Sequence, residues 1–270
     1  MTKLLAFTDT HLRSAGEMII GLDPYAKLAG ALEHAQRRHP DAEHIVFMGN
    51  LVNSGKPEEY ARFKEILATA TRPVTIIPGN HDSRDQMVDS LSLTRDDIGY
   101  VQSIFDTPTH TVIAIDTVFG DKYLSFASLG QYDDKRLAWL DQHLSAAEKP
   151  VVLFAHHPPF KVGFDGMDDI RMRDDDAFAE VAQGRIAHMI CGHVHRTISG
   201  NWRGLSYTVL KSTCHQMPLA LGEKGMSLST DEPSAYGVVL LTDDGVIVHT
   251  EDWELAAEEF FESDDAVAQP

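Results

Sequence analysis

Short blocks of apolar residues alternate along the chain with longer stretches in which apolar positions recur at helical spacing. Residues 3–8, 44–48, 73–77, 111–115, 150–155 and 186–191 are compact apolar runs, and each reads as a buried strand. Between them, Tyr25, Leu28, Ala29, Leu32 and Ala35 mark one helical face; Tyr60, Phe63, Ile66 and Leu67 mark a second; Leu137, Leu140 and Leu144 mark a third. Asp23-Pro24 opens the first helix, with Asp as N-cap and Pro in its first position. Residues 83–93 and 177–183 read as two more helices, and residues 9–21, 119–130 and 161–176 as loops. Residues 94–105 fit neither period, so the span 83–110 is a candidate cap over the site.

After His195 the pattern changes. Residues 205–210, 236–241 and 246–250 look like strands without long helices between them, and Thr242-Asp-Asp-Gly245 is a hairpin turn. The first two thirds therefore predict βαβ units and the last third an antiparallel meander. A single α/β domain of layered architecture with two facing sheets, residues 1–253, accommodates both. Residues 254–270 form an acidic tail or arm whose only aromatic side chains are Phe260 and Phe261.

The strand ends carry the chemistry. Asp9-Thr-His11 and His193-Val-His195 each place two metal-binding side chains two residues apart, on one face of an extended segment. Asn50, Asn80, His81, His156, His157 and His215 likewise follow apolar runs, several after a Gly. In open α/β sheets, ligand sites lie beyond the carboxyl ends of strands. One His at a strand end is ordinarily a turn or surface residue, and Asn beside Gly is an ordinary turn pair. The whole set in register with strand ends points to a metal centre. Mixed nitrogen and oxygen donors suit Zn²⁺, Mn²⁺ or Fe²⁺, and their tally exceeds the ~4–6 that one ion takes, which favours two ions. Two such ions form a clamp for displacement at phosphorus.

Composition narrows the partner class. Of 270 residues, 43% are apolar, enough for a sizeable core, and 23 basic against 41 acidic residues leave a net charge of −18. That balance argues against nucleic-acid polymers and anionic membranes, which both require excess Lys and Arg. A small anionic substrate stays open, because bound cations reverse the field locally. Two cysteines, Cys191 and Cys214, indicate buried thiols rather than a disulfide framework. The start of the chain runs directly into Asp9 without a signal peptide, and no apolar run approaches a membrane span, so a cytoplasmic protein is expected. Phosphate-binding Gly-rich loops, nucleophile elbows, His-Glu-x-x-His helices and dinucleotide fingerprints are all missing.

Asp9-Thr-His11, Gly49-Asn-Leu-Val-Asn53, Gly79-Asn-His-Asp82, His156 and Gly192-His-Val-His195 resemble the motif series of the calcineurin-like metallophosphoesterases. Asn53-Ser-Gly-Lys-Pro-Glu-Glu-Tyr60 and His156-His-Pro-Pro159 resemble the branch of bacterial glycerophosphodiesterases and class III cyclic-nucleotide phosphodiesterases. The resemblance implies a four-layer αββα sandwich with two mixed sheets. It also implies two divalent ions (Mn, Fe, Zn or Co), a small phosphodiester substrate and a homo-oligomer. Carried over, Asp9, His11 and His195 hold one ion and Asn80, His156 and His193 the other, with position 50 bridging them. His81 sits over the phosphate, stabilising charge or protonating the leaving oxygen. Asn80, His81, His195 and His215 are implied to contact substrate, with Arg171 and Arg173 as further candidates.

One departure matters. The family has Asp where this chain has Asn50. An amide offers one good neutral acceptor where a carboxylate offers two anionic oxygens. Weakened metal occupancy and reduced turnover are expected, whether the change is deliberate or natural. A phosphomonoesterase or protein phosphatase on the same fold, and a non-catalytic phosphate-binding variant, are the alternatives.

Overall fold

In the computed structural model, which describes residues 1–120, 128–222 and 228–255, every apolar run of the chain becomes a strand. The order is β1 (Thr2–Phe7), α1 (Pro24–Arg38), β2 (His44–Met48), α2 (Pro57–Leu67), β3 (Val74–Ile77), α3 (Arg84–Leu91), β4 (Ser103–Asp106), β5 (Thr111–Ile115) and α4 (Asp134–Ala146). There follow β6 (Val151–Ala155), α5 (Asp165–Asp168), α6 (Asp175–Ala182), β7 (Ile186–Cys191), β8 (Ile198–Trp202), β9 (Leu205–Val209), β10 (Tyr236–Thr242) and β11 (Gly245–Glu251).

The strands form two mixed sheets, ordered β11-β10-β1-β2-β3 and β4-β5-β6-β7-β9-β8. β1, β2 and β3 run parallel, as do β5, β6, β7 and β9; β10, β11, β4 and β8 pair antiparallel at the flanks. Alternate side chains of each central strand enter different cores. Leu4, Ala6, Val46 and Met48 of the first sheet meet Val112, Ala114, Val152, Phe154 and Ile190 of the second, so the sheets face each other. Their neighbours Leu5, Phe7, Ile45 and Phe47 pack outward against Leu28 and Leu32 of α1, Tyr60 and Phe63 of α2 and Met87 of α3. On the other side, Ile113, Leu153 and Met189 pack against Leu140 and Leu144 of α4 and Phe178 of α6. Four layers, αββα, result. Burial on both faces explains why the central strands read as unbroken apolar runs instead of alternating ones.

The predicted helix start at Asp23 holds: its carboxylate accepts from the Tyr25 N–H at 3.0 Å. The predicted turn also holds, with Thr242 opposite Gly245. Two strands escaped the hydrophobic pattern. β4 lies within the unassigned stretch and β8 follows His195; both are edge strands whose residues are half-buried or exposed. Pairing with β5 and β9 makes them strands, and no local apolar run announces it. The short α5 likewise falls inside a predicted loop. Beyond β11, Trp253 lies so close to α1 that a Cβ on Gly30 would come within 2.6 Å of its ring, and Glu254 pairs with Lys27. Residues 256–270, including Phe260 and Phe261, lie outside the described residues, as do 121–127 of the predicted loop.

Burial also sets an acid limit. His44 stacks on Phe105 with ring centroids 4.0 Å apart, and burial lowers its pKa to about 4. Burial lowers His39, His110 and His188 in the same direction. These groups bind protons more readily unfolded, so the stability they contribute is complete above about 6.5 and is lost as pH falls toward 4. Thermal melts from pH 8 to pH 5 are expected to show a falling midpoint, with a shallower fall in His44→Gln. An unchanged slope in that variant would remove His44 from the account.

Candidate metal centre

The carboxyl ends of β1, β2, β3, β6 and β7 meet along one rim of the two sheets, and the loops leaving them turn sharply. Among the described residues, nine that are not Gly have positive φ; five are Asp9 (54°), His11 (47°), Asn50 (51°), His193 (70°) and His195 (56°). Left-handed backbone at such residues costs energy and persists where the surroundings impose it, which happens most at functional sites. Glycines let the loops close. A Cβ on Gly192 would lie 2.0 Å from Thr8 Oγ1 and 2.9 Å from Asp9 Oδ2. Gly192→Ala is therefore expected to cost about 1–3 kcal/mol in urea melts by forcing these strand ends apart. Wild-type stability in that variant would show that the approach can relax.

Two clusters of donors result. Asp9 Oδ1 lies 3.2 Å from His195 Nε2 and 3.8 Å from His11 Nε2, and those two nitrogens are 3.1 Å apart. Asn80 Oδ1 lies 3.1 Å from both His156 Nε2 and His193 Nδ1. Backbone carbonyls select the tautomers, because a carbonyl can only accept. His156 Nδ1 donates to Met48 O at 2.8 Å, and His195 Nδ1 donates to His215 O at 2.9 Å. With Nδ1 donating to a carbonyl, Nε2 is the nitrogen each ring turns inward, the outer-shell arrangement found around metal-ligating histidines. His81 Nδ1 donates to Asn53 O at 2.8 Å in the same way.

The electrostatics agree. Burial would raise the Asp9 carboxyl, but His195, His156 and His11 outweigh it and hold the group well below the usual carboxylate range. Burial, joined by histidine neighbours, drives His11, His157 and His193 well below the ordinary imidazole value, and lowers His156 despite Asp9. Burial and His195 bring His215 to about 3. The site is thus a buried anionic carboxylate ringed by imidazole nitrogens.

Residues 2–197 match the family model described as calcineurin-like phosphoesterase. The chain belongs to the calcineurin-like phosphoesterase family. It is 33% identical over 252 residues to a protein of Rhodopseudomonas palustris named "probable cyclic nucleotide phosphodiesterase", covering 92% of this chain and 91% of that one. It is 30% identical to the glycerophosphodiester phosphodiesterase GpdQ of Enterobacter lignolyticus, covering 80% and 78% of the two chains. Among solved structures, a dimetal phosphatase from Danio rerio superposes with a TM-score of 0.68 at 14% identity, over 92% of this chain and 95% of that one. This likeness bears on the fold.

The residues of this phosphoesterase fit divalent ions at two places. Two imidazole nitrogens 3.1 Å apart lie beside a buried carboxylate, and His156 and His193 each turn a ring nitrogen to Asn80 Oδ1 in the second cluster. His215 joins the first cluster with His11 and His195; His157 joins the second with His156 and His193. His157, absent from the ligand set that the family resemblance implied, is fully buried, its ring centroid 4.5 Å from that of His193. Position 50 fits differently. Asn50 Oδ1 accepts the His81 N–H at 2.9 Å, while its Nδ2 donates to Asp9 Oδ1 at 3.0 Å and to Asn80 Oδ1 at 3.4 Å.

Over both clusters lies a cavity of about 360 Å³. Its polar lining includes Asn53, Asn80, His81, His195 and His215, and its apolar lining Ile19, Met167, Ile170, Met217 and Leu228. Arg13 is the one Arg or Lys among the described lining residues, and its Nε is buried without a hydrogen-bond partner. The sequence reading passed over Arg13, whose only signal was its place two residues after His11. Arg171 turns to Asp168 O and Asp175, Arg173 lies over the Phe119 ring, and their loop supplies Met167 and Ile170 to the wall. Asp82 was quoted in the motif without a role, yet it accepts from the N–H groups of Gly79, Leu51 and Val52. No helix of the described residues is long and apolar enough to cross a membrane.

Proposed function

We propose that this phosphoesterase hydrolyses small phosphodiesters, with cyclic nucleotides and glycerophosphodiesters as the substrate classes. The observation that carries the reading is the pair of donor clusters, one around Asp9 and one around Asn80, opening into a single cavity. Asp9, His11 and His195 would hold one ion and Asn80, His156 and His193 the other, drawn from Mn, Fe, Zn or Co. When bound, such ions acidify water to a nucleophile and offset charge on phosphoryl oxygens.

The remaining work falls to the side chains. Anchored through Nδ1 to Asn53, the His81 ring presents Nε2 to a substrate oxygen, where its protonated form donates to the leaving group. Asn80, His195 and His215 line the phosphoryl side of the cavity. Arg13, whose Nη1 lies 4.0 Å from Glu17, is the lining cation nearest an anionic or hydroxylated arm, and the Met and Ile side chains receive the less polar part of the alcohol. A cavity near 360 Å³ suits a small ligand, and a net charge of −18 opposes a nucleic-acid polymer. A homo-oligomer in the cytoplasm belongs to the same reading.

The test compares bis(4-nitrophenyl) phosphate with 4-nitrophenyl phosphate, using metal-supplemented protein as given and as Asn50→Asp. Preference for the diester is expected in both; a strong preference for the monoester would move the chain to the phosphomonoesterases. A second reading, a phosphate-binding module without turnover, rests on Asn50 alone.

A further inference from the structure

Asn50 is buried at the seam between the two donor clusters, and its orientation is dictated from outside them. The His81 N–H needs an acceptor, and Asn50 Oδ1 supplies it at 2.9 Å. Rotating the amide by half a turn would set an NH₂ group against that N–H, two buried donors face to face, which is a costly arrangement. The oxygen therefore stays on His81 and the NH₂ group points into the site. There it reaches Asp9 Oδ1 at 3.0 Å and Asn80 Oδ1 at 3.4 Å, the oxygen that each cluster would offer to its ion. Crowding limits any escape, since a Cβ on Gly79 would lie 2.4 Å from Asn50 Oδ1. An amide nitrogen in this role has no lone pair to give to a cation. A carboxylate in the same place would keep the His81 bond with one oxygen and turn the other inward.

We infer that Asn50 is no metal ligand in this chain but a hydrogen-bond bridge that joins the two clusters through its NH₂ protons and competes with cations for Asp9 and Asn80. The site is assembled without ions, and each cluster loads its ion independently and weakly. This rests on the reading of the clusters as metal sites in its second half only; the bridge itself is a property of the metal-free fold.

The experiment compares the chain with Asn50→Asp and Asn50→Leu by thermal melts after EDTA treatment, then by calorimetric titration with Co²⁺ and Zn²⁺. In EDTA the chain as given is expected to melt highest. Asn50→Leu should melt lower through loss of the bridge. Asn50→Asp should also melt lower, because a second buried carboxylate then faces Asp9 without a cation. On metal addition the order should reverse for Asn50→Asp, with affinity at least ~10-fold tighter than in the chain as given. The bridge is overturned if both variants match or exceed the EDTA-treated chain. The ligand half is overturned if the chain binds two ions per molecule as tightly as Asn50→Asp. Should neither protein bind either metal while the EDTA order holds, the bridge stands and the metal reading of the site falls.

Discussion

Asn50→Asp is expected to raise turnover of bis(4-nitrophenyl) phosphate by ~10–100-fold when Mn²⁺, Co²⁺ or Zn²⁺ is supplied, the range set by losing one supporting interaction at a metal site. Asp9 is the only carboxylate among Asp9, His11, Asn50, Asn80, His156, His193 and His195. Two divalent ions beside a single negative charge repel each other with little compensation, and the amide hydrogens of Asn50 occupy the oxygen that each cluster would offer to its ion. A carboxylate removes both obstacles while retaining the bond from His81. Steady-state rates with saturating metal, together with bound metal per molecule, decide the matter. Full metal loading without any gain in rate would favour the phosphate-binding reading and sink the expectation.

The largest expected effect on stability lies one residue beyond His81. Asp82 is buried and accepts from the N–H groups of Gly79 at 2.9 Å, Leu51 at 3.2 Å and Val52 at 3.3 Å, and from Tyr60 Oη at 3.1 Å. The loop after β2 and the loop after β3 therefore close on one side chain, and those loops carry Asn50 and Asn80. Asp82→Ala leaves several buried donors unpaired at once, a loss of roughly 3–5 kcal/mol. Urea melts should register it, and the EDTA-treated protein should register it equally, because the defect lies in the loops and involves no ion. Asp82→Asn, which retains one acceptor oxygen, should fall between. A loss below about 1 kcal/mol in Asp82→Ala would mean that water or a neighbouring group satisfies these donors.

Much of this was legible in the residues. β1, β2, β3, β5 and β6 show as apolar runs because each is buried on two faces, so no partner is needed to recognise them. The same logic failed for Ser103–Asp106 and Ile198–Trp202, edge strands held by a single neighbour. Asp9, His11, Asn50, Asn80, His81, His156, His193 and His195 were picked out as a set, and the structure brings them to one rim. His157 and Asp82 were undervalued because burial and a ring of backbone donors leave no mark on a sequence.

Composition and local order determined the architecture and the kinds of donor at the strand ends, since hydrophobic periodicity and side-chain chemistry are properties of short segments. Which nitrogen of each imidazole turns inward, which way the Asn50 amide points, and that Asp82 ties two loops together depended on contacts between segments 20 to 113 positions apart. Hydrogen-bond direction is set by the partner, and only the packed chain supplies the partner.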